Sequence, residues 1–398
     1  MSPKPLSENT IKIIKATAGV VADKGYEITT TMYKSMLPSD PKISALFNPT
    51  HQKVLPGEKL ARQPAALAGA VSAYAANIDN LGVLTEAVER MAQKHVSLEI
   101  LPEQYPVVGQ HLLGAIQTVL GSAATPEIVD AWAEAYGFLA DVLIDRENAI
   151  RDEIAAAPGG WYGWRDLTVS KIVEESPEIK SFHLKPADDK PLVAFKPGQY
   201  VGVRLETTHF TTQRNYSLSM APDANEYRIS VKREGPAASG CPVGQVSNYL
   251  HGEVKEGDTL KVSVPCGDFQ LKVDDTKPVV LISGGIGITP MASMAHHLLS
   301  KNVPNRIIMV NAVRNKNVEA LKEEFKKYDA SNFTLNSVYG DEHGRLNPSL
   351  LSSMVEDKDA HFYFCGPPGF MRNVHEILKG WSVPENQVHF EYFGPFES

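Results

Sequence analysis

Cysteine is scarce in this chain: 398 residues contain Cys241, Cys266 and Cys365, with no Cys-x-x-Cys pair. That excludes a disulfide framework and a thiolate-held structural zinc, and points to a reducing, cytoplasmic compartment. Long apolar runs are absent too, none approaching the roughly 20 residues of a membrane span, so no stable membrane insertion is expected. Met1 to Thr10 is polar and contains proline, unlike the apolar core of a signal peptide. No basic block occurs, and the net charge of −8 argues against nucleic acid as a partner. Internal repeats and low-complexity tracts are also missing. What remains is an ordinary globular composition, 43% hydrophobic and 22% charged, in a chain long enough for two or three domains.

The first 150 residues read as successive helices. Ile11, Ile14, Ala18 and Val21 recur at helical spacing, as do Leu84, Val88, Met91, His95 and Leu98. Val108, Leu112, Ile116 and Leu120 follow, then Ile128, Trp132, Leu139 and Leu143. Turn signals separate them, the last being Ala124-Thr125-Pro126, where Glu127 suits a helix start. Ala155 to Gly163, rich in glycine, reads as a linker.

From Trp164 the period changes to two. Leu167/Val169, Val201/Val203/Leu205, Tyr227/Ile229/Val231 and Leu260/Val262/Val264 alternate with polar residues, which predicts a small antiparallel barrel. After Lys277 the pattern changes again. Val279 to Ile282 is a buried-strand run, followed by glycines and the helical stretch Met291 to Leu299. Ile307–Val310, Phe333–Val338 and Phe362–Phe364 supply further strands, the alternation of a parallel α/β sheet. The expected organisation is multidomain: all-α at 1–154, antiparallel β at 155–275 and α/β at 276–398.

Three segments carry chemistry in the second half. Arg214-Asn215-Tyr216-Ser217 offers a guanidinium fork for a diphosphate and, two residues on, an aromatic ring for a flat ring system. Alone it fits an ordinary exposed strand equally well. Gly244-Gln245-Val246-Ser247, before Tyr249-Leu250, suits a phosphate at a helix start. Gly284-Gly285-Ile286-Gly287-Ile288-Thr289-Pro290 lacks the Gly-x-Gly-x-x-Gly spacing, yet a glycine loop between strand and helix can cradle a pyrophosphate. Cys365-Gly366-Pro367 closes a strand at the end where ligands sit in open α/β sheets, or marks a buried structural cysteine.

In this order, with Pro197-Gly198-Gln199-Tyr200 ahead of them, the segments make residues 164–398 resemble the ferredoxin-NADP reductase-like superfamily. The resemblance implies that Arg214 and the Gly244–Ser247 turn hold the FAD diphosphate. It also implies that Tyr216 and Ser217 face the isoalloxazine and that Cys365 lies by the nicotinamide. No iron–sulfur cysteine cluster is present. Arg314 is the single arginine of 311–315, so NADH is expected as donor with NADPH tolerated.

A reductase needs an acceptor, and the helical half supplies a candidate. Of His51, His95 and His111, only His95 lies in register with an apolar stripe, either as a core histidine or as an axial haem ligand. Thr31-Met32-Tyr33, Leu46-Phe47-Asn48, Gln63 with Leu67, and Gln93-Lys94-His95 make residues 9–150 resemble a globin. So do Pro102-Glu103-Gln104-Tyr105 and Asp145-Arg146-Glu147; with Tyr392-Phe393-Gly394-Pro395 the whole chain resembles the flavohaemoglobins. The resemblance implies haem b with His95 as proximal ligand, Tyr33 and Gln63 as distal donors, and Phe47 and Leu67 against the haem. Tyr105 and Glu147 then engage the proximal histidine, although the run at 145–147 also fits a solvated helix face. Lys94 and Glu391 are expected near the flavin–haem gap, and Phe393 near the flavin or nicotinamide. The segment 53–62 is longer than the corresponding loop of bacterial and yeast members, which bears on Gln63.

The activity implied is nitric oxide dioxygenase: NO and O2 become nitrate, with NAD(P)H electrons passed through FAD to haem, in a monomer. Two alternatives stand beside it, an oxygen sensor or store that keeps its own iron reduced, and an alkyl hydroperoxide reductase.

Overall fold

The computed structural model describes residues 4–223, 225–235, 243–273, 275–328 and 330–395. Its first half is helical, as the stripes predict. Ser7 opens α1 (Glu8–Met36) by accepting the Thr10 N–H at 3.1 Å. There follow α2 (Pro41–Ala45), α3 (Arg62–Ala76), α4 (Thr85–Ser97), α5 (Tyr105–Leu120) and α6 (Pro126–Ala156). Ile14 and Val21 of the first stripe are buried with Met32, Ile116 and Trp132 in one core. Thr125 caps α6 through the Ile128 N–H at 3.4 Å.

The stretch read as a linker is a packed turn. Helix α6 continues through Ala155 and Ala156. A Cβ on Gly160 would stand 1.9 Å from the Ile154 carbonyl oxygen, and one on Gly159 2.6 Å from the backbone of Leu192. Only glycine allows the chain so close an approach here.

Beyond it lie β1 (Arg165–Ser176), β2 (Ile179–Pro186), β3 (Tyr200–Glu206), β4 (Thr211–Ser217), β5 (Tyr227–Lys232), α7 (Gln245–Gly252) and β6 (Thr259–Val262). The strands form an antiparallel sheet in the order β4-β3-β6-β1-β2-β5. A bridge between Leu218 and Ile229, with Ser219 N–H donating to the Arg228 carbonyl at 2.9 Å, draws the two edges together into a barrel. The predicted alternating residues, among them Leu167, Val203 and Ile229, fill it.

The last third contains β7 (Val279–Gly284), α8 (Ile288–Ser300), β8 (Ile307–Val313), β9 (Phe333–Tyr339), α9 (Gly340–His343), α10 (Pro348–Met354), β10 (His361–Cys365), α11 (Pro368–Gly380) and β11 (Val388–Glu391). These strands are parallel in the order β11-β10-β7-β8-β9, with apolar clusters on both faces. The chain runs outward from β7 to β9, then returns to β10 on the other side. The topological switch point therefore falls between the carboxyl ends of β7 and β10, where an open α/β sheet binds ligands.

Side chains join the three units. Ala92, Val96 and Ile150 of the helical half share an apolar cluster with Tyr200, Val264 and Cys266 of the barrel. Gln93 Oε1 accepts the Gly267 N–H at 3.0 Å. Between barrel and α/β unit, Arg228 donates to Glu324, whose other oxygen lies 2.8 Å from His296 Nε2. Burial by itself would raise Glu324, but His296 and Arg228 hold it down at about 2. Burial also lowers His296 below its usual value, which leaves Arg228 as the lasting cation of the clasp. Cys266 and Cys365 are buried free thiols, and Cys241 lies outside the described residues. Among the described residues no helix is long and apolar enough to cross a membrane.

Candidate active site

Helix α4 presents His95 toward α5 and α6. Its Nδ1 lies 2.7 Å from Glu147 Oε1 and 3.0 Å from Tyr105 Oη, and the Tyr105 hydroxyl donates to the same carboxylate oxygen. Glu147 has no exposed surface, so the solvated-face alternative is overturned: α6 turns this carboxylate inward. Burial, then the Glu147 charge and hydrogen bond, raise the Tyr105 phenol, keeping it a donor. Tyr136 Oη holds the Tyr105 carbonyl at 2.6 Å. With Nδ1 engaged in this way, the donor set leaves Nε2 as the nitrogen available to a metal.

The opposing wall comes from α1, α3 and the segment after α2. Tyr33 is 5% exposed, and burial pushes its phenol up to about 12, against the lowering effect of Gln63. Gln63 Nε2 donates to Tyr33 Oη at 3.1 Å, so the segment 53–62 does not displace it. The phenol hydrogen must then point away from Gln63. Phe47 meets the Tyr33 ring edge-on, with centroids 5.4 Å apart, and Leu67 packs on the same core. A half-buried imidazole with Nε2 free, and a buried phenol bonded to an amide beside apolar Phe47 and Leu67, are groups that fit a haem.

On the barrel, Arg214 Nη1 donates to Thr212 Oγ1 at 2.8 Å and to the Gln213 carbonyl at 2.6 Å. Burial lowers its pKa and raises that of Tyr216. Ser217 Oγ is buried with no partner in the protein, an orphaned hydroxyl beside the aromatic ring as a flavin site requires. Gly244 precedes α7; a Cβ there would stand 2.6 Å from Ser247 Oγ and 2.7 Å from Glu234. Gln245 opens the helix, whereas Val246 turns its side chain into the barrel core, so only its backbone could face a cofactor. Gln199 is turned back on Lys196, whose N–H it accepts at 2.8 Å. Asn215 faces the helical half, accepting from Ser97 Oγ at 3.2 Å.

At the switch point the glycines divide into two kinds. A Cβ on Gly284 or Gly366 would strike the Phe370 ring, and one on Gly287 the Cys365 carbonyl at 2.1 Å, so these serve close packing. Gly285 has φ +55° and no atom within 4 Å of a Cβ position, leaving its surface open beside the start of α8. Thr289 Oγ1 donates back to the Ile286 carbonyl at 3.0 Å, and Pro290 sits in the first turn of α8. Cys365 is buried and its thiol is held far above the usual range; Pro367 caps α11. Arg314 is exposed and pairs with Glu178.

The two halves meet at the chain end. Cys365 stands in register with Glu391 on β11, and Lys94 Nζ of α4 donates to the Gly394 carbonyl at 3.0 Å. Burial lowers Lys94, opposed by Glu391. Glu391 Oε2 is out of solvent without a partner, and burial with Asp268 raises the carboxyl to about 8. Tyr200 is buried beside this junction, while Phe393 is 43% exposed. His51, which the sequence showed only as lying outside any apolar stripe, also belongs here. Burial, then Arg214, Arg62 and Lys94, lower it to about 4. Its neighbour Asn48-Pro49 gave no sign of those three cations.

Family signatures divide the chain as the fold does: globin at 30–143, oxidoreductase FAD-binding domain at 166–271 and oxidoreductase NAD-binding domain at 281–376. The flavohemoprotein of Halalkalibacterium halodurans is 43% identical, covering 99% of this chain and 98% of that one. That of Rhodopirellula baltica is 44% identical over 98% of each. The chain belongs to the flavohaemoprotein family. The crystal structure of a flavohemoglobin from Malassezia yamatoensis, with bound FAD and heme, superposes with a TM-score of 0.84 at 25% identity, covering 98% of this chain and 100% of that one. The FAD/NAD-binding domain of a nitric oxide dioxygenase from Vibrio cholerae matches 58% of this chain and 100% of its own length, at 34% identity and a TM-score of 0.54. This flavohaemoprotein is accordingly a globin–reductase fusion with haem, FAD and a nicotinamide as its cofactors, and an oxidoreductase.

Proposed function

We propose that this flavohaemoprotein is a nitric oxide dioxygenase, converting NO and O2 to nitrate with electrons from NADH in the cytoplasm. When bound, haem b supplies the iron that takes O2, and FAD supplies the step from hydride to single electrons. The observation that carries the reading is the pairing of a buried Glu147 behind His95 with a protonated Tyr33 on the opposite wall.

Glu147 accepts from His95 Nδ1 and so increases electron donation through Nε2, which favours oxygen activation over storage. Tyr33 keeps its proton at neutral pH and, with Gln63 occupying its lone pair, aims its O–H at the ligand side. Phe47 and Leu67 keep water from that side. Arg214 and the start of α7 hold the flavin diphosphate, while Tyr216 and Ser217 orient the isoalloxazine. Gly285 and the start of α8 accept the nicotinamide diphosphate, and Cys365 bounds the nicotinamide. Lys94 closes the junction by holding Gly394. The likeness to the Vibrio cholerae dioxygenase reductase supports the same reading.

The test is NADH-dependent NO consumption by the holoenzyme in air, with nitrate measured as product. Consumption far above autoxidation supports a dioxygenase. Rates no faster than autoxidation, with stable oxygen binding, support a sensor or store. Faster turnover of alkyl hydroperoxides than of NO supports the peroxide reductase.

A further inference from the structure

The long segment before α3 builds something the proposed chemistry leaves unused. A cavity of about 260 Å³ opens on the α1 side of Tyr33. Thr30, Tyr33 and Lys34 of α1 form one wall, and Gln52, Val54 and Ala61 contribute the other. Phe47, Leu67 and His95 do not line it, so Tyr33 is shared between this chamber and the haem side. The segment is held in shape by an Arg62–Glu58 ion pair and by a turn in which Glu58 N–H donates to the Leu55 carbonyl at 2.9 Å.

The chemistry of the lining is one-sided. Gln52 Nε2 and Thr30 Oγ1 are shielded from solvent and meet no partner in the protein. Lys34 adds a cation, and none of the lining residues is acidic. Unmet donors beside a positive charge recognise an anion with several acceptor atoms. Val54 and Ala61 make the remaining wall apolar, which suits a weakly hydrated anion better than phosphate. The volume is about nine times a water molecule's share of the liquid, ample for a small oxyanion with accompanying waters.

We infer that this cavity binds a small inorganic oxyanion of the nitrate class, held by Lys34, Gln52 and Thr30 and in contact with Tyr33. On the dioxygenase reading, from which the identity of the anion follows, it receives the product as that leaves. The shared phenol gives the site a means of reporting to the haem side.

The experiment uses the ferrous holoenzyme with CO on the iron, so that an added anion binds only elsewhere. The CO stretching band, which senses the Tyr33 hydroxyl, is followed during titration with sodium nitrate and, at equal ionic strength, sodium chloride. A saturable shift with nitrate and none with chloride is expected. Lys34→Gln and Gln52→Leu should each raise the half-saturating nitrate concentration about tenfold, with flavin reduction by NADH unchanged. Val54→Glu, which sets a carboxylate at the exposed rim, should weaken the response by charge repulsion while leaving the anion-free band in place. No saturable shift, an equal shift with chloride, or identical titrations in all variants would overturn the proposal. A nitrate response in an enzyme that does not convert NO would instead remove the dioxygenase reading and leave the anion site standing.

Discussion

Lys94 Nζ holds the Gly394 carbonyl at 3.0 Å, joining a globin helix to the end of the chain across 300 positions. The contact lies where Glu391, in register with Cys365, brings a second ionisable group into the same low-dielectric junction. The helical unit and the parallel sheet are thus linked through two groups whose pKa values burial shifts.

Glu391 should leave its mark on the pH dependence of stability. Its carboxyl is raised from the usual 4.5 to about 8 in the folded chain, so between those values the folded state binds the extra proton. Its stabilising contribution is full below 4.5 and lost as pH rises through 8. Glu391→Gln should therefore melt progressively higher than the parent as pH rises across that window. Parallel melting curves for the two proteins would contradict the assignment.

Tyr33→Phe removes the hydroxyl proposed as distal donor while retaining the ring that meets Phe47. A hydrogen bond to a charged acceptor contributes roughly 1.5–3 kcal/mol, so O2 should dissociate about 10- to 100-fold faster. Stopped-flow displacement of O2 from the ferrous protein measures this; an unchanged rate rules out Tyr33 as the donor.

Glu147→Gln keeps the shape behind His95 and removes the charge. The iron–histidine stretching band should move to lower frequency, because a neutral amide draws the Nδ1 proton less strongly. Resonance Raman of the ferrous, ligand-free protein reads it directly. A band at the parental position would show that the 2.7 Å contact does not tune the iron.

Glu324→Gln should loosen the clasp between barrel and α/β unit. Arg228, only 7% exposed, would lose its charged acceptor, at a cost of about 3 kcal/mol. The first thermal transition of the holoenzyme should fall accordingly. Because Glu324 titrates at about 2 instead of the usual 4.5, the parent's advantage is full above 4.5 and lost as pH falls through 2. An undiminished gap in acid would point to packing instead of charge.

Much of the architecture was legible because its signals are local. Val279 to Ile282 is uninterrupted apolar sequence because β7 is covered on both faces. Strand β2 was not singled out, and the reason is visible in Ser181: an inward position is polar, satisfied by Ser230 Oγ at 2.7 Å, so the alternation is broken. Leu167, Val203 and Ile229 have no such partner and show the period cleanly. The glycine loop was read as a cradle, yet Gly284 and Gly287 are required by Phe370 and the Cys365 carbonyl, neighbours remote in sequence.

By itself the sequence determined the helical, antiparallel and parallel thirds, the histidine in an apolar stripe and the order of the reductase segments. Each depends on spacing within one element or on adjacent residues. Tertiary structure alone decided that Glu147 is buried against His95 and not solvated, that His51 joins Arg214 and Lys94, and that segment 53–62 walls a cavity beside Tyr33. Those outcomes depend on how helices far apart in the chain rotate and pack against one another. No local periodicity carries that information.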